Sequence, residues 1–168
     1  MKYAILITAA NIVFWVALHF GTAAFFTYAL PEKTKNRLFD YKKRFFTVSE
    51  KEMRFYRKIK LPFWKDKLPQ FNKDFNKRNL ESEITPEYIK RFLLQTCKAE
   101  TIHYTISILG FLSLLFCLLE KNPVSFLPLY SGIALLAVIC NLPFSLIQRY
   151  NRYRLLKVYN RIASVQEN

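Results

Sequence analysis

Three glycines in 168 residues leave no room for Gly-rich phosphate chemistry. Dinucleotide fingerprints, Walker loops and the Gly-x-Ser-x-Gly elbow all place several glycines at fixed spacing, and none of those spacings occurs. Histidine is scarcer still, limited to His19 and His103. Three cysteines, Cys97, Cys117 and Cys140, lie in or beside apolar runs without Cys-x-x-Cys spacing. They suit reduced packing thiols better than a disulfide frame or a zinc site. Acidic residues are few, 12 against 26 Lys and Arg, for a net charge of +14. No nucleic-acid recognition motif accompanies that charge, so its placement along the chain decides what it means.

What is abundant is apolar length. Residues 3–30 contain no Asp, Glu, Lys or Arg, and about 20 apolar residues suffice to cross a bilayer. A cleaved signal peptide would carry a basic n-region and a shorter core. Here only Lys2 precedes the run and a strongly basic segment follows, as expected of an uncleaved anchor with its N-terminus outside. Two further spans are read at 102–119 and 124–147, separated by the near-neutral turn at Asn122-Pro123. The positive charge is segregated to match: residues 31–101 carry +9 and residues 148–168 carry +4. Both charged sections fall on one side of a three-span topology, which the positive-inside rule makes cytoplasmic. The expected fold is an all-α integral membrane protein in a single membrane domain, residues 1–168. It has three transmembrane helices, a basic cytoplasmic helical section (31–101) between the first and second, and a cytoplasmic tail (148–168). Phe (16) and Tyr (10) are plentiful, as at bilayer interfaces, where amphipathic rings gather.

Within the cytoplasmic section, Ser49-x-x-Glu52 reads as a capping box opening a basic amphipathic helix. Anionic lipid is the partner that such a helix attracts without a specific site. Trp64, between two prolines, is placed at headgroup depth, and residues 70–84 read as loop. Thr85-Pro86-Glu87 is a helix start, with an N-cap, a first-turn proline and an acid against the dipole. One helix is expected from about 86 to 119, with Gly110 tolerated inside it. Pro128 and Pro143 fall in the third span, where a proline frees a carbonyl and can kink the helix.

Chemistry concentrates where the second span leaves the water. Glu100 and His103 stand three apart, on one face of a helix, ahead of the uncharged run Tyr104 to Leu119. A base with a carboxylate to orient it is the functional reading, a solvated surface pair the bland one. Their depth favours function, because ionisable groups near the membrane core are costly. Cys97 completes Cys-x-x-Glu-x-x-His, but positions six apart diverge on a helix, so no metal site is read. His19, alone in the first span, should turn inward to the bundle. There it can bond Asn11 or Trp15, or reach His103. Gln148, Arg149, Asn151, Arg152 and Arg154 set three guanidiniums and two amides just inside the third span, a pattern suited to phosphate.

These runs together resemble a known family. The order is Trp15, then Trp64-Lys65 followed by Leu68-Pro69, then Lys98-Ala99-Glu100-x-x-His103-Tyr104. Asn141-x-Pro143 follows, leading into Gln148-Arg149-Tyr150-Asn151-Arg152-x-Arg154-Leu155; residues 31–60 carry none of these motifs. The pattern is similar to the glycosyl-4,4'-diaponeurosporenoate acyltransferases, small bacterial membrane proteins. The resemblance implies esterification of the sugar of a glycosylated C30 carotenoid with a fatty acyl group. It implies acyl-CoA or acyl carrier protein as co-substrate, no further cofactor, a lipid substrate within the bilayer, and a place in the bacterial cell membrane. His103 would then be the base and Glu100 its orienting carboxylate. Arg149, Arg152 and Arg154 would meet donor phosphates or the oxyanion, with Gln148 and Asn151 as neutral donors. Asn141, His19 and Trp64 would lie along the lipid substrate. A non-catalytic adaptor that gathers anionic lipid or partner enzymes is the rival reading, and a small transporter subunit the next.

Overall fold

A computed structural model of the chain describes residues 2–69 and 85–166. The loop expected at 70–84 lies outside the described residues. All regular structure in the described residues is helical, with no strand. Helix α1 (Lys2–Ala24) continues through a π-type turn, Phe25–Ala29. After it come α2 (Glu32–Leu38), a 3-10 turn (Arg44–Phe46), α3 (Glu50–Lys58) and the short α4 (Leu61–Trp64). Helix α5 (Pro86–Leu109) passes directly into a 3-10 stretch, Gly110–Leu119, and α6 runs from Pro123 to Gln166. Three segments are long and apolar enough to cross a membrane: Tyr3–Ala29, Pro86–Leu119 and Pro123–Ile162.

The caps form as the sequence dictates. Ser49 Oγ accepts from the Glu52 amide at 3.2 Å, and Thr85 Oγ1 accepts from the Tyr88 amide at 3.2 Å. Two expectations shift. The single helix over 86–119 tightens at Gly110, the residue with least commitment to α geometry. The third span and the tail are one unbroken helix of 44 residues. Pro128 and Pro143 sit within it, each removing one backbone bond without ending it.

Backbone contacts divide the chain into two compact units. The first comprises Met1–Lys35 and Thr101–Ser145. In it α1 packs against the 3-10 stretch in antiparallel order. Ile7 joins Cys117 and Tyr130 in a buried cluster, Phe14 lies 5.7 Å from Phe116 between ring centres, and Trp15 covers Gly110. The outer surface is apolar: Ile5, Leu6, Ile12, Val13, Val16, Phe20, Leu115, Leu118, Leu135 and Ile139 are all exposed. So much contiguous apolar surface is sustained by lipid rather than water. Cys140 is exposed on this face, unlike buried Cys97 and Cys117, and none of the three is in a disulfide. An apolar exterior suits a thiol as well as a core does.

The second unit comprises Asn36–Glu100 and Leu146–Asn168. One cluster joins Val48, Met53, Tyr56 and Leu61 of the α3–α4 region to Tyr150 of α6. A second joins Tyr88, Ile89 and Leu93 of α5 to Leu155, Leu156 and Tyr159 of α6. Lys60 turns the chain between α3 and α4 in the left-handed conformation (φ 54°).

Candidate active site

In the first unit, His103 meets a partner 38 residues away. Its Nδ1 lies 2.9 Å from Asn141 Oδ1, and Asn141 Nδ2 donates to the Ala137 carbonyl at 2.9 Å. These two bonds settle the proton. A carbonyl only accepts, so the amide nitrogen must face Ala137 and the amide oxygen must face the imidazole. That oxygen also only accepts, so Nδ1 carries the hydrogen, and in the neutral ring Nε2 keeps its lone pair. Phe144 stacks on the ring with centroids 5.0 Å apart and planes 14° from parallel, which fixes the direction of that lone pair. The result is an imidazole held by a side chain on each of two sides.

Helical spacing explains both contacts. Asn141 and Phe144 stand three apart on α6 and share one face. Asn141 is buried and hydrogen-bonds one turn back, a local alternative that keeps an amide satisfied in an apolar span.

His19 repeats the pattern on α1. Its Nδ1 lies 2.9 Å from the Trp15 carbonyl one turn earlier, so again Nδ1 holds the hydrogen, and in the neutral ring Nε2 is the acceptor. The side chain is exposed, not turned inward as expected, because the Trp15 carbonyl already meets the N–H that lipid would leave unsatisfied. The Trp15 bond anticipated from the sequence is present, through the backbone.

In the second unit, Glu100 is fully buried, as is Arg152. Arg149 Nη1 donates to Glu100 Oε1 at 2.8 Å, and Arg152 Nη2 donates to the other carboxylate oxygen. Arg149 also holds Glu52, with Nη2 to Oε2 at 3.0 Å and Nε to Oε1. It donates as well to the carbonyls of Phe45 (3.0 Å) and Thr47 (2.9 Å). All five of its N–H bonds are thereby used. Arg152 Nε donates to the Phe46 carbonyl at 2.9 Å, and its guanidinium lies over the Phe46 ring. Two arginines from α6, a carboxylate from α5 and another from α3 thus form a clasp around the Arg44–Phe46 turn.

Burial raises the cost of ionising Glu52, but the hydrogen bonds from Arg149 and Tyr56 outweigh it and hold the carboxyl below its ordinary range. Tyr56 shifts the opposite way: burial first, then the neighbouring Glu52 carboxylate, push its hydroxyl well above the usual range.

A family model described as CrtO, glycosyl-4,4'-diaponeurosporenoate acyltransferase, matches residues 35–161. The chain belongs to that family. Membership makes it, in general terms, an acyltransferase of carotenoid glycolipid biosynthesis, with three helices suited to a membrane. No curated protein and no solved structure matches the chain. The CrtO match takes in His103, Asn141, Phe144 and the whole clasp. It begins after α1, so Trp15 and His19 lie outside it, and it includes residues 36–60, where none of the motifs that carry the family resemblance was read.

The remaining candidates fall into two groups. Trp64 Nε1 donates to the Ile59 carbonyl at 3.0 Å and the ring packs on the Met53–Tyr56–Leu61 cluster, so it anchors the α3–α4 turn. Gln148 and Asn151 are half-buried. Arg154 is exposed, with its guanidinium over the Tyr150 ring. Sequence reasoning did not pair His103 with Asn141 or find Phe144. It took Glu52 only as a cap, whereas Glu52 also grips Arg149. The one available signal for Asn141 was an amide in an apolar span with a single His to meet.

Proposed function

We propose that the chain moves a fatty acyl group from a cytosolic thioester donor to a sugar hydroxyl of a glycolipid, a glycosylated C30 carotenoid being the acceptor its family name describes. The observation that carries the reading is the bare Nε2 of His103, fixed by Asn141 and Phe144. His103 Nε2 takes the proton of the sugar hydroxyl as its oxygen attacks the thioester carbonyl. The C–O bond forms, the C–S bond breaks, and the imidazolium returns the proton to the departing thiolate sulfur. Asn141 keeps the tautomer and the aim of the ring and accepts from Nδ1–H throughout, the role that an orienting third group plays beside a histidine base.

Glu100 is reassigned in this scheme. Both its oxygens serve guanidiniums, so it supports the clasp, and the orienting role passes to Asn141. Arg149 and Arg152 likewise serve the clasp, which leaves Arg154, Gln148 and Asn151 as the polar groups of that run open to a ligand.

The test supplies purified protein in detergent with labelled palmitoyl-CoA or acyl carrier protein and a bacterial glycolipid extract, read by mass spectrometry. Wild type adds one acyl mass to a glycolipid, and His103→Ala does not. Asn141→Leu folds but loses about 10²-fold or more in kcat, the scale of a positioned proton transfer. Equal transfer by wild type and His103→Ala would overturn the base. No transfer with either donor, from folded protein, favours the adaptor whose basic face gathers lipid.

A further inference from the structure

The two histidines share an unusual condition. In each, Nδ1–H is committed to an oxygen of the protein, the Trp15 carbonyl for His19 and the Asn141 amide oxygen for His103. Each therefore offers a bare Nε2 acceptor, and neither can donate from that atom while neutral.

The packing brings them to one neighbourhood. Helix α1 and the second span run antiparallel, with Ile7 at Cys117 and Trp15 at Gly110. Continuing from the Trp15 contact, α1 reaches His19 one turn later, and the second span reaches His103 two turns earlier. Trp15 bridges the interval, its ring 6.0 Å from that of His19 between centroids. His19 stands four positions beyond Trp15 and His103 seven positions before Gly110, so each lies on the helix face that carries the Trp15–Gly110 contact. His19 is exposed and His103 half-buried.

Two neighbouring acceptors on rigid helices select a ligand with two neighbouring donors. A fatty alcohol offers one hydroxyl and a simple amine brings charge. A sugar offers a row of hydroxyls at fixed spacing. We propose that His19 and His103 form a two-point grip on the acceptor's sugar, His103 receiving the hydroxyl that reacts and His19 receiving the proton of a hydroxyl beside it. His19 is then a binding residue that sets which hydroxyl faces the base. The proposal rests on the acyltransferase reading and adds the residue that recognises the sugar.

The experiment uses full-length protein in nanodiscs with dodecyl glucoside and its monodeoxy analogues as probes. Equilibrium binding is followed by tryptophan fluorescence, since Trp15 adjoins His19, and acyl transfer from palmitoyl-CoA is measured beside it. Wild type should bind dodecyl glucoside about tenfold more tightly than the one deoxy analogue lacking the His19 partner, the scale of a neutral hydrogen bond. His19→Ala should bind both probes alike and raise KM more than it lowers kcat. His19→Gln, which keeps an acceptor oxygen, should restore part of the discrimination. If His19→Ala keeps the wild-type preference among the analogues, the grip is wrong, whatever His103 does. If His103→Ala retains full transfer while His19→Ala loses sugar discrimination, the base assignment and the His103 half of the grip fail, and sugar recognition by His19 stands. Tight Ni²⁺ or Zn²⁺ binding that needs both histidines, with glucoside binding indifferent to either, would make the pair a metal site and overturn the proposal.

Discussion

At the scale of single residues, the clasp shows how charge can be buried without being wasted. Glu100 sits where neither oxygen meets water, and it is tolerable there because a guanidinium faces each one. Removing one member of such a group leaves its partners charged and unpaired, which costs about 3–5 kcal/mol. Glu100→Gln is therefore expected to lower the unfolding free energy of the detergent-purified protein by about that amount, read by denaturant titration. A change under about 1 kcal/mol would mean that the clasp is dispensable. Glu52 adds a pH dependence with a definite sign. Its folded pKa lies below the unfolded value of 4.5, so its contribution is complete above that value and is lost as pH falls through the folded one. Replacing it by Gln should lower stability at neutral pH and flatten the decline on the acid side. An unchanged acid limb in Glu52→Gln would show that other carboxylates govern it.

Elements carry a different lesson, because here close packing competes with helix preference. A methyl group at Gly110 would come within 2.7 Å of Trp15 Cη2 and 3.0 Å of Cζ3. Alanine improves helix propensity by up to about 1 kcal/mol, whereas forcing volume into a filled contact costs about 1–3 kcal/mol. Overpacking should win, so Gly110→Ala lowers the melting temperature, and adding Trp15→Phe returns part of the loss through non-additivity. Additive effects would mean that the contact is soft. The same elements show what was legible beforehand. Run length and capping residues gave the three spans, Ser49 and Thr85 as caps, and Pro86 as a helix start, all of them local signals. Periodicity did not reveal that the tail joins the third span in one helix, since Pro143 was read only as a source of a kink and the packing of Tyr150, Leu155 and Tyr159 is not local. Nor could spacing choose partners for Glu100 and His103. They are three apart on one helix, yet Glu100 binds residues 49 and 52 positions on and His103 binds one 38 positions on.

For the whole molecule, the charge pattern and the chemistry make one demand between them. The second span begins at Ile102 by sequence, directly after the section 31–101 with its +9 charge, and the third ends before the +4 tail. We propose, on the positive-inside rule, that both sections face the cytoplasm and that the N-terminus lies outside. In the proposed reaction the thioester donor is cytosolic, and a base at the start of the second span would then serve only in that orientation. The opposite insertion would put His103 on the side without donor. A fluorescent protein fused after Asn168 should glow, alkaline phosphatase fused there should be inactive, and an N-terminal tag should be cut by protease added to intact spheroplasts. An active C-terminal phosphatase would reverse the topology, and with it the cytosolic donor. The direction of the chain through the membrane is thus a test of the reaction as well as of the fold.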